Sequence, residues 1–395
     1  MNPPARAHST SVRLPRLLLP LLAACLAVFA SACGNSQGGD GAPAGTRTYA
    51  FVSNGDSHTV TVVDLPRLEP VATLRVGRNP TGVRAHPTRP EVYVVATGSN
   101  WVAVIDAQRR KVTARIRVGR RPLFVDFSPD GRYAYVANSG SRSLSVINCA
   151  QQRVEATLRV GRGPGLARVS PDGRWVVVTN RADSTVSLLT TNPLEVVATI
   201  PVARNPEDIA ILPDGSKAFI SASGSNQVSV IDLERRTLLV NIPVGKTPVD
   251  LALKPDGGEL FVANFDSHTL TIINTWTNDV TETLLAARQP ARLLPSPDGA
   301  RLYISHFGSN QVSVLQTATR TLEANIQVGQ RPDALALSSH PPLLLVANAG
   351  SGDLAVIPQG GEALAAMVPV GLSPRGIAVV SVPAESRSAP TPPQD

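Results

Sequence analysis

The chain is short of the residue types from which most catalytic and metal centres are assembled. Its 395 residues include three cysteines, two methionines and six histidines, and only 4% are aromatic. Cys25, Cys33 and Cys149 form neither a Cys-x-x-Cys pair nor a Cys-x-x-Cys-His haem attachment. His58, His86, His268, His306 and His340 lack the short spacings that bring two ligands to one metal, so a metal or haem would need residues converging from distant parts of the chain. There is no glycine-rich phosphate loop and no serine-hydrolase elbow. The Asp-Gly pairs are not followed by acids at the spacing of a calcium loop. No apolar run is long enough for a comfortable membrane span. With so few aromatics, the core must come from Val, Leu, Ile and Ala, within an apolar fraction of 43%.

The longest apolar run, residues 17–29, follows Arg13 and Arg16, and Ala30-Ser31-Ala32 lead from it to Cys33. Basic residues, an apolar stretch and small residues in that order describe a secretory signal peptide over residues 1–32. Ala30-Ser31-Ala32-Cys33 resembles a bacterial lipobox, which implies lipidation at Cys33. Leu22-Ala23-Ala24-Cys25 is an alternative match, and ordinary cleavage that leaves Cys33 a free thiol is a rival reading. Residues 33–46 read as a flexible linker. Residues 383–395, rich in Pro and Ser, read as a disordered tail. Loss of residues 1–32 removes Arg6, Arg13 and Arg16 and no acid, which lowers the formal charge from +7 to +4. That balance is mildly basic and is no nucleic-acid signature in itself. With Cys25 removed and Cys33 lipidated, Cys149 stands alone, which excludes an intrachain disulfide framework.

What the chain has in abundance is repetition. A proline recurs as Pro80, Pro122, Pro164, Pro206, Pro248, Pro290, Pro332 and Pro374, always at an interval of 42 residues. Between Pro122 and Gly163 lie four short β-branched runs, separated by Pro129-Asp130-Gly131, Ser139-Gly140-Ser141 and a polar loop at Gln151. This reads as an antiparallel four-stranded meander. A single such sheet cannot cover both its faces. Four strands at a fixed period of this length predict an all-β fold, a β-propeller. The first ordered run, residues 49–54, aligns with second strands, and the last, residues 375–382, aligns with first strands. Strands from both termini therefore complete one blade, and residues 47–382 make eight periods of 42. A seven-bladed ring is the runner-up and requires one unit to stand outside the ring.

Tyr135-Val136-Ala137-Asn138, Leu144-Ser145-Val146-Ile147 and Val160-Gly161 resemble the YVTN β-propeller repeat, as do Phe261-Val262-Ala263-Asn264 and Val228-Ser229-Val230-Ile231-Asp232. Ala96, Ala222 and His306 depart from its asparagine. The resemblance implies the fold but no single role, because such propellers serve many functions. An eight-bladed ring also resembles, at the level of architecture, the haem d1 propeller of cytochrome cd1 nitrite reductases.

The loops before each proline carry the clearest chemical signal. Two residues ahead of it stand Arg78, Arg120, Arg162, Arg204, Lys246, Arg288, Gln330 and Leu372, and Arg121, Arg331 and Arg375 lie beside it. Ring closure gathers the first six at one channel mouth, where converging cations attract anions. The plainer reading is solvated turn residues copied by duplication. Within the first strands, Arg84, Asp126 and Arg168 occupy equivalent positions in successive blades. They read either as a self-satisfied ladder or as a polar ligand patch in the channel. Asp208 and Asp250 also begin first strands. The loops between second and third strands carry Ser57, Ser99, Ser141, Asp183, Ser225, Ser267, Ser309 and Ser351, which read as turn chemistry. The next position varies, as at His58, Asn100 and Arg142, and suits either a recognition surface or drift. Trp101, Phe265 and Phe307 lie nearby; Trp101 reads as core.

The expectation is an exported, lipid-anchored, monomeric propeller of the cell envelope. It binds a protein or an anionic ligand through its top face, with no cofactor and no catalytic residues assigned. Single-stranded DNA as the ligand is an alternative. A propeller enzyme or cofactor protein, lactonase-like or haem d1-like, is the competing class.

Overall fold

The computed structural model describes residues 45–384. Cys33, the leader, most of the linker and all but the first two residues of the tail lie outside the described residues. The described chain forms eight four-stranded antiparallel sheets and contains no helix. The repeat of 42 is therefore a repeat of blades, and the count is eight rather than seven.

Blade 3 shows why the repeat folds as it does. Its strands are Pro122–Phe127, Tyr133–Asn138, Ser143–Asn148 and Arg153–Arg159, from the channel outward. The second and third strands are almost wholly buried on both faces, as expected for strands covered on both sides, with Asn138, Ser143 and Ser145 as buried polar residues among Ala, Val, Leu and Ile. The outer strand alternates exposed and half-buried residues. In the turn after the inner strand, Asp130 Oδ1 accepts hydrogen bonds from Ser128 Oγ at 2.6 Å and the Arg132 N–H at 3.0 Å, while Gly131 takes φ 71°.

Blade 1 is closed by both ends of the described chain. Pro374–Pro383 is its inner strand and pairs antiparallel with Thr46–Asn54, with Tyr49 opposite Val380 and Phe51 opposite Ala378. The same segment touches the inner strands of both neighbours, Pro80–Ala85 of blade 2 and Pro332–Ser339 of blade 8.

The hydrophobic core is not central. It consists of eight seams, each packed between two adjacent blades. The middle of the ring is left to the channel.

Candidate functional site

The channel encloses a cavity of about 1020 Å³. Its wall is a belt of alternating charges supplied by the inner strands. Arg84 of blade 2 meets Asp126 of blade 3 at 2.8 Å. Arg168 of blade 4 does not complete a ladder with Asp126: it pairs with Asp208 of blade 5 at 3.7 Å, while Asp126 Oδ2 accepts the Val169 N–H at 3.1 Å. Arg292 of blade 7 binds Asp250 of blade 6 at 3.3 Å and Asp333 of blade 8 at 3.4 Å. Arg375 of blade 1 approaches Asp333 at 3.8 Å. Arg181 and Glu207 form a further pair on the same wall. Sequence reasoning found Arg84, Asp126 and Arg168 but missed Arg292 and Asp333. Arg292 stands at the repeat position of Asp208 and Asp250, two residues after the proline, and could have been read with them; Asp333 stands one residue after its proline, where the other blades carry no acid but Glu207.

Burial and the nearby Asp208 charge push the Asp250 carboxyl up to about 7. Burial also raises Asp333. For Arg292, burial opposes the cation, but Asp250, Asp333 and Asp208 outweigh it and hold the guanidinium protonated. Phe124 lies between two cations, with Arg168 4.8 Å and Arg84 5.8 Å from its ring centre.

The six cations expected at the channel mouth are a second, separate set. Arg78, Arg120, Arg162, Arg204, Lys246 and Arg288 are all exposed, one in each of six successive linkers, and none lines the channel cavity. Their backbone is fixed by the loops between second and third strands. The N–H groups of Arg78, Arg120, Arg204 and Lys246 donate to Ser99, Ser141, Ser225 and Ser267 at 2.8 to 3.0 Å, and that of Arg162 to Asp183 at 2.6 Å. The recurring serine is thus a clamp for the linker. Arg162 also pairs with Asp183 through its side chain. The other five cations make no ion pair among the described residues.

The variable position beside the serine is a clamp as well. His58, Asn100, Asn226, His268 and Asn310 have φ between 56° and 62° and accept an N–H from the linker 21 residues on, at 2.9 to 3.2 Å. Positive φ favours Asn and costs other residues more, which narrows the choice at this position on backbone grounds. Trp101 is a packing residue: its indole N–H donates to the Val76 carbonyl at 2.8 Å. Phe265 and Phe307 pair with ring centres 6.0 Å apart, and Arg331 lies 5.9 Å from the Phe307 ring.

Comparison with known proteins gives the following. A family model described as cytochrome D1 heme domain matches residues 89–362. No curated protein matches the chain. Among solved structures, dihydro-heme d1 dehydrogenase NirN in complex with DHE is similar with a TM-score of 0.71 and 17% identity, over 83% of this chain and 74% of that one. Hydrazine synthase of Kuenenia stuttgartiensis gives 0.58 and 23%, over 68% and 92%. A functionally unknown protein from Desulfotomaculum acetoxidans gives 0.60 and 18%, over 73% and 98%. At these identities the structural likenesses establish the propeller fold alone.

Proposed function

The chain belongs to the cytochrome d1 haem domain family, and on that premise we propose that it is a binding propeller of the cell envelope whose cationic mouth recognises an anionic partner. The observation that supports this most directly is the contrast between the two sets of charges. In the channel, acids and arginines pair with one another. Beside them, Arg78, Arg120, Arg204 and Lys246 stand exposed on clamped backbone, and Arg288 stands exposed on a linker that lacks the serine clamp, none of them with an acidic neighbour in contact. Cations held on a rigid ring raise the local concentration of anions without any reorganisation on binding.

The family name implies haem. Haem iron is held by His, Cys, Met or Tyr side chains. The residues lining the channel cavity include none of these. His86 is buried in a turn against the Gly131 carbonyl at 2.8 Å, and His306 is buried against Ser313. Among the described residues no group of three or more His, Cys, Asp or Glu is arranged to hold a metal ion. The residues present do not fit an axially ligated haem, and the proposed role uses none.

Anchoring belongs to the same reading. Lipidation at Cys33 would tether the ring to a membrane, with the linker as spacer. A Cys33→Ser variant should then move from the detergent phase to the soluble fraction; unchanged partitioning rejects the anchor.

The mouth is tested by titrating single-stranded DNA, polyglutamate and an acidic glycan. Binding should weaken steeply with salt, because the Debye length falls from about 10 Å at 0.1 M to about 3 Å at 1 M. Arg78, Arg120 and Arg204 changed together to Glu should lose binding. Arg109 and Arg235, exposed and paired within their own turns at 2.8 and 2.9 Å, are the control pair for reversal elsewhere. Equal affinity for all three proteins would reject the mouth.

A further inference from the structure

The seam between blades 6 and 7 breaks the repeat at two facing positions. In blades 1, 3, 4, 6 and 8 the second strand ends in a buried asparagine: Asn54, Asn138, Asn180, Asn264 and Asn348. Its side-chain N–H₂ donates to side-chain oxygens of the third strand, as Asn138 does to Ser143 at 3.2 Å and Ser145 at 2.9 Å. The glycine of the incoming linker is pressed against it. A Cβ on Gly119 would lie 2.6 Å from Asn138, so the seam is closed. Blade 7 has His306 in place of that asparagine and Ala287 in place of that glycine.

An opening lies beside these two positions. A cavity of about 360 Å³ lies there, a size within the range of small-molecule sites. Leu284, Ile304 and Leu315 line its body. Leu285 and Leu322, exposed by 89% and 55%, stand at its edge. Its polar floor is a chain of three side chains: His306 Nε2 lies 2.7 Å from Ser313 Oγ, which lies 2.6 Å from Asn325 Oδ1. His306 Nδ1 is buried without a hydrogen-bond partner. Ser309, whose counterparts clamp the linker, is buried without a partner in this blade.

We infer that this seam binds a small uncharged amphipathic molecule, with one ring or a short chain in the apolar body and a hydroxyl on the His306–Ser313–Asn325 floor. The charge follows from the lining. Arg320 is its one cation and is already held by Glu259, by Glu282 at 3.7 Å and by the Thr317 carbonyl. No acid lines the cavity. Burial lowers His306 to about 4, so its ring is neutral at physiological pH. An anion finds no free cation here, and a cation finds no carboxylate.

The chain contains its own blocked version of the site. In blade 2 the equivalent positions are Gly77, Ala96 and Trp101, and the Trp101 indole fills the seam, 2.7 Å from where a Gly77 Cβ would stand. The test therefore compares the full chain with an Ala287→Gly/His306→Ala/Gln311→Trp variant, using phenol, toluene and benzoate followed by calorimetry or NMR titration. Phenol should bind saturably and more tightly than toluene or benzoate, and the variant should lose it by about tenfold or more with its β-sheet circular dichroism intact. A second variant, Ser313→Ala, removes one hydroxyl only and should bring phenol down to the level of toluene. The inference is overturned if phenol does not bind, if benzoate binds as well, or if the phenol preference survives Ser313→Ala. It does not rest on the cationic mouth, whose ligands are unaffected by these changes.

Discussion

Asp250 accepts the main-chain N–H of Leu293 at 2.8 Å, from the inner strand of blade 6 to that of blade 7. Asp208 does the same for Leu251 at 3.0 Å, and Asp126 for Val169 at 3.1 Å. In each case the carboxylate bonds a residue 43 positions on, just beyond one repeat. The channel acids are therefore staples between neighbouring blades. That explains how a ring whose apolar core lies in the seams can keep charged groups in its middle: each carboxylate exchanges water for a backbone donor and a guanidinium.

The staple at Asp250 carries a cost that depends on pH. Burial and Asp208 raise its folded-state value from 3.8 to about 7. A raised carboxyl binds its proton more tightly in the folded protein than in the unfolded one, so the folded state is favoured below pH 4 and loses that advantage as pH rises towards 7. Asp250→Asn keeps an acceptor for Leu293 but removes the charge. The variant's melting temperature relative to wild type should therefore increase between pH 5 and pH 8. A constant difference across that range would show that Asp250 does not titrate there.

The closure of blade 1 can be tested by deletion. Removing residues 374–383 strips the inner strand from Thr46–Asn54, exposes its edge, and opens the seams on both sides, since Ala378, Val380 and Val382 pack into one and Ile377 and Val379 against the other. The truncated protein should aggregate or lose its cooperative thermal transition. A melting curve unchanged from wild type would contradict a ring held by both ends.

The eight-bladed architecture was legible because its cause is local and repeated. Each Pro, each Asp-Gly turn and each β-branched run constrains one unit, and eight copies leave no room for another period. The recurring serines were visible as a repeat position and read as turn chemistry, but their partners, linker N–H groups 21 residues away, were not. The channel belt was only half legible. Arg84 and Asp126 share a repeat position and could be read together, but Arg292 and Asp333 meet from positions two residues and one residue after their prolines. Their pairing depends on the stagger between adjacent inner strands, which no single blade encodes. His306 was visible as a departure from the repeat, yet its meaning lay in Ala287 and in a seam between two blades.

The closed seams make a prediction by double substitution. Gly119→Ala places a methyl group against the Ser141 hydroxyl and 2.6 Å from Asn138 and should destabilise the protein by about 1–3 kcal/mol, as overpacking does. Asn138→Ala removes two buried hydrogen bonds and should cost about 1–3 kcal/mol alone. Blade 5 carries alanine at both positions, Ala203 and Ala222, and there the Ala203 N–H donates to Ser229 Oγ at 3.0 Å. The double variant should therefore lose less stability than the two single losses combined. Strict additivity in denaturant titrations would mean that the glycine and the asparagine do not constrain each other.

Cys149 supplies a probe of the seam between blades 2 and 3. It is buried with Tyr93, Val104, Val136 and Ile147, and burial pushes its thiol up to about 11. At pH 8 roughly a thousandth of such a thiol is ionised, and the thiolate is the reactive form. In a Cys25→Ser/Cys33→Ser background, a thiol reagent should label the folded protein far more slowly than the unfolded one. The rate should rise with denaturant, because labelling then requires the seam to open. If blade 1 holds the ring shut, deleting residues 374–383 should accelerate labelling even without denaturant: the inner strand of blade 2 would lose the neighbour that supports it. Labelling of the intact folded protein at the rate of an exposed cysteine would place Cys149 outside the seam core and would contradict this packing.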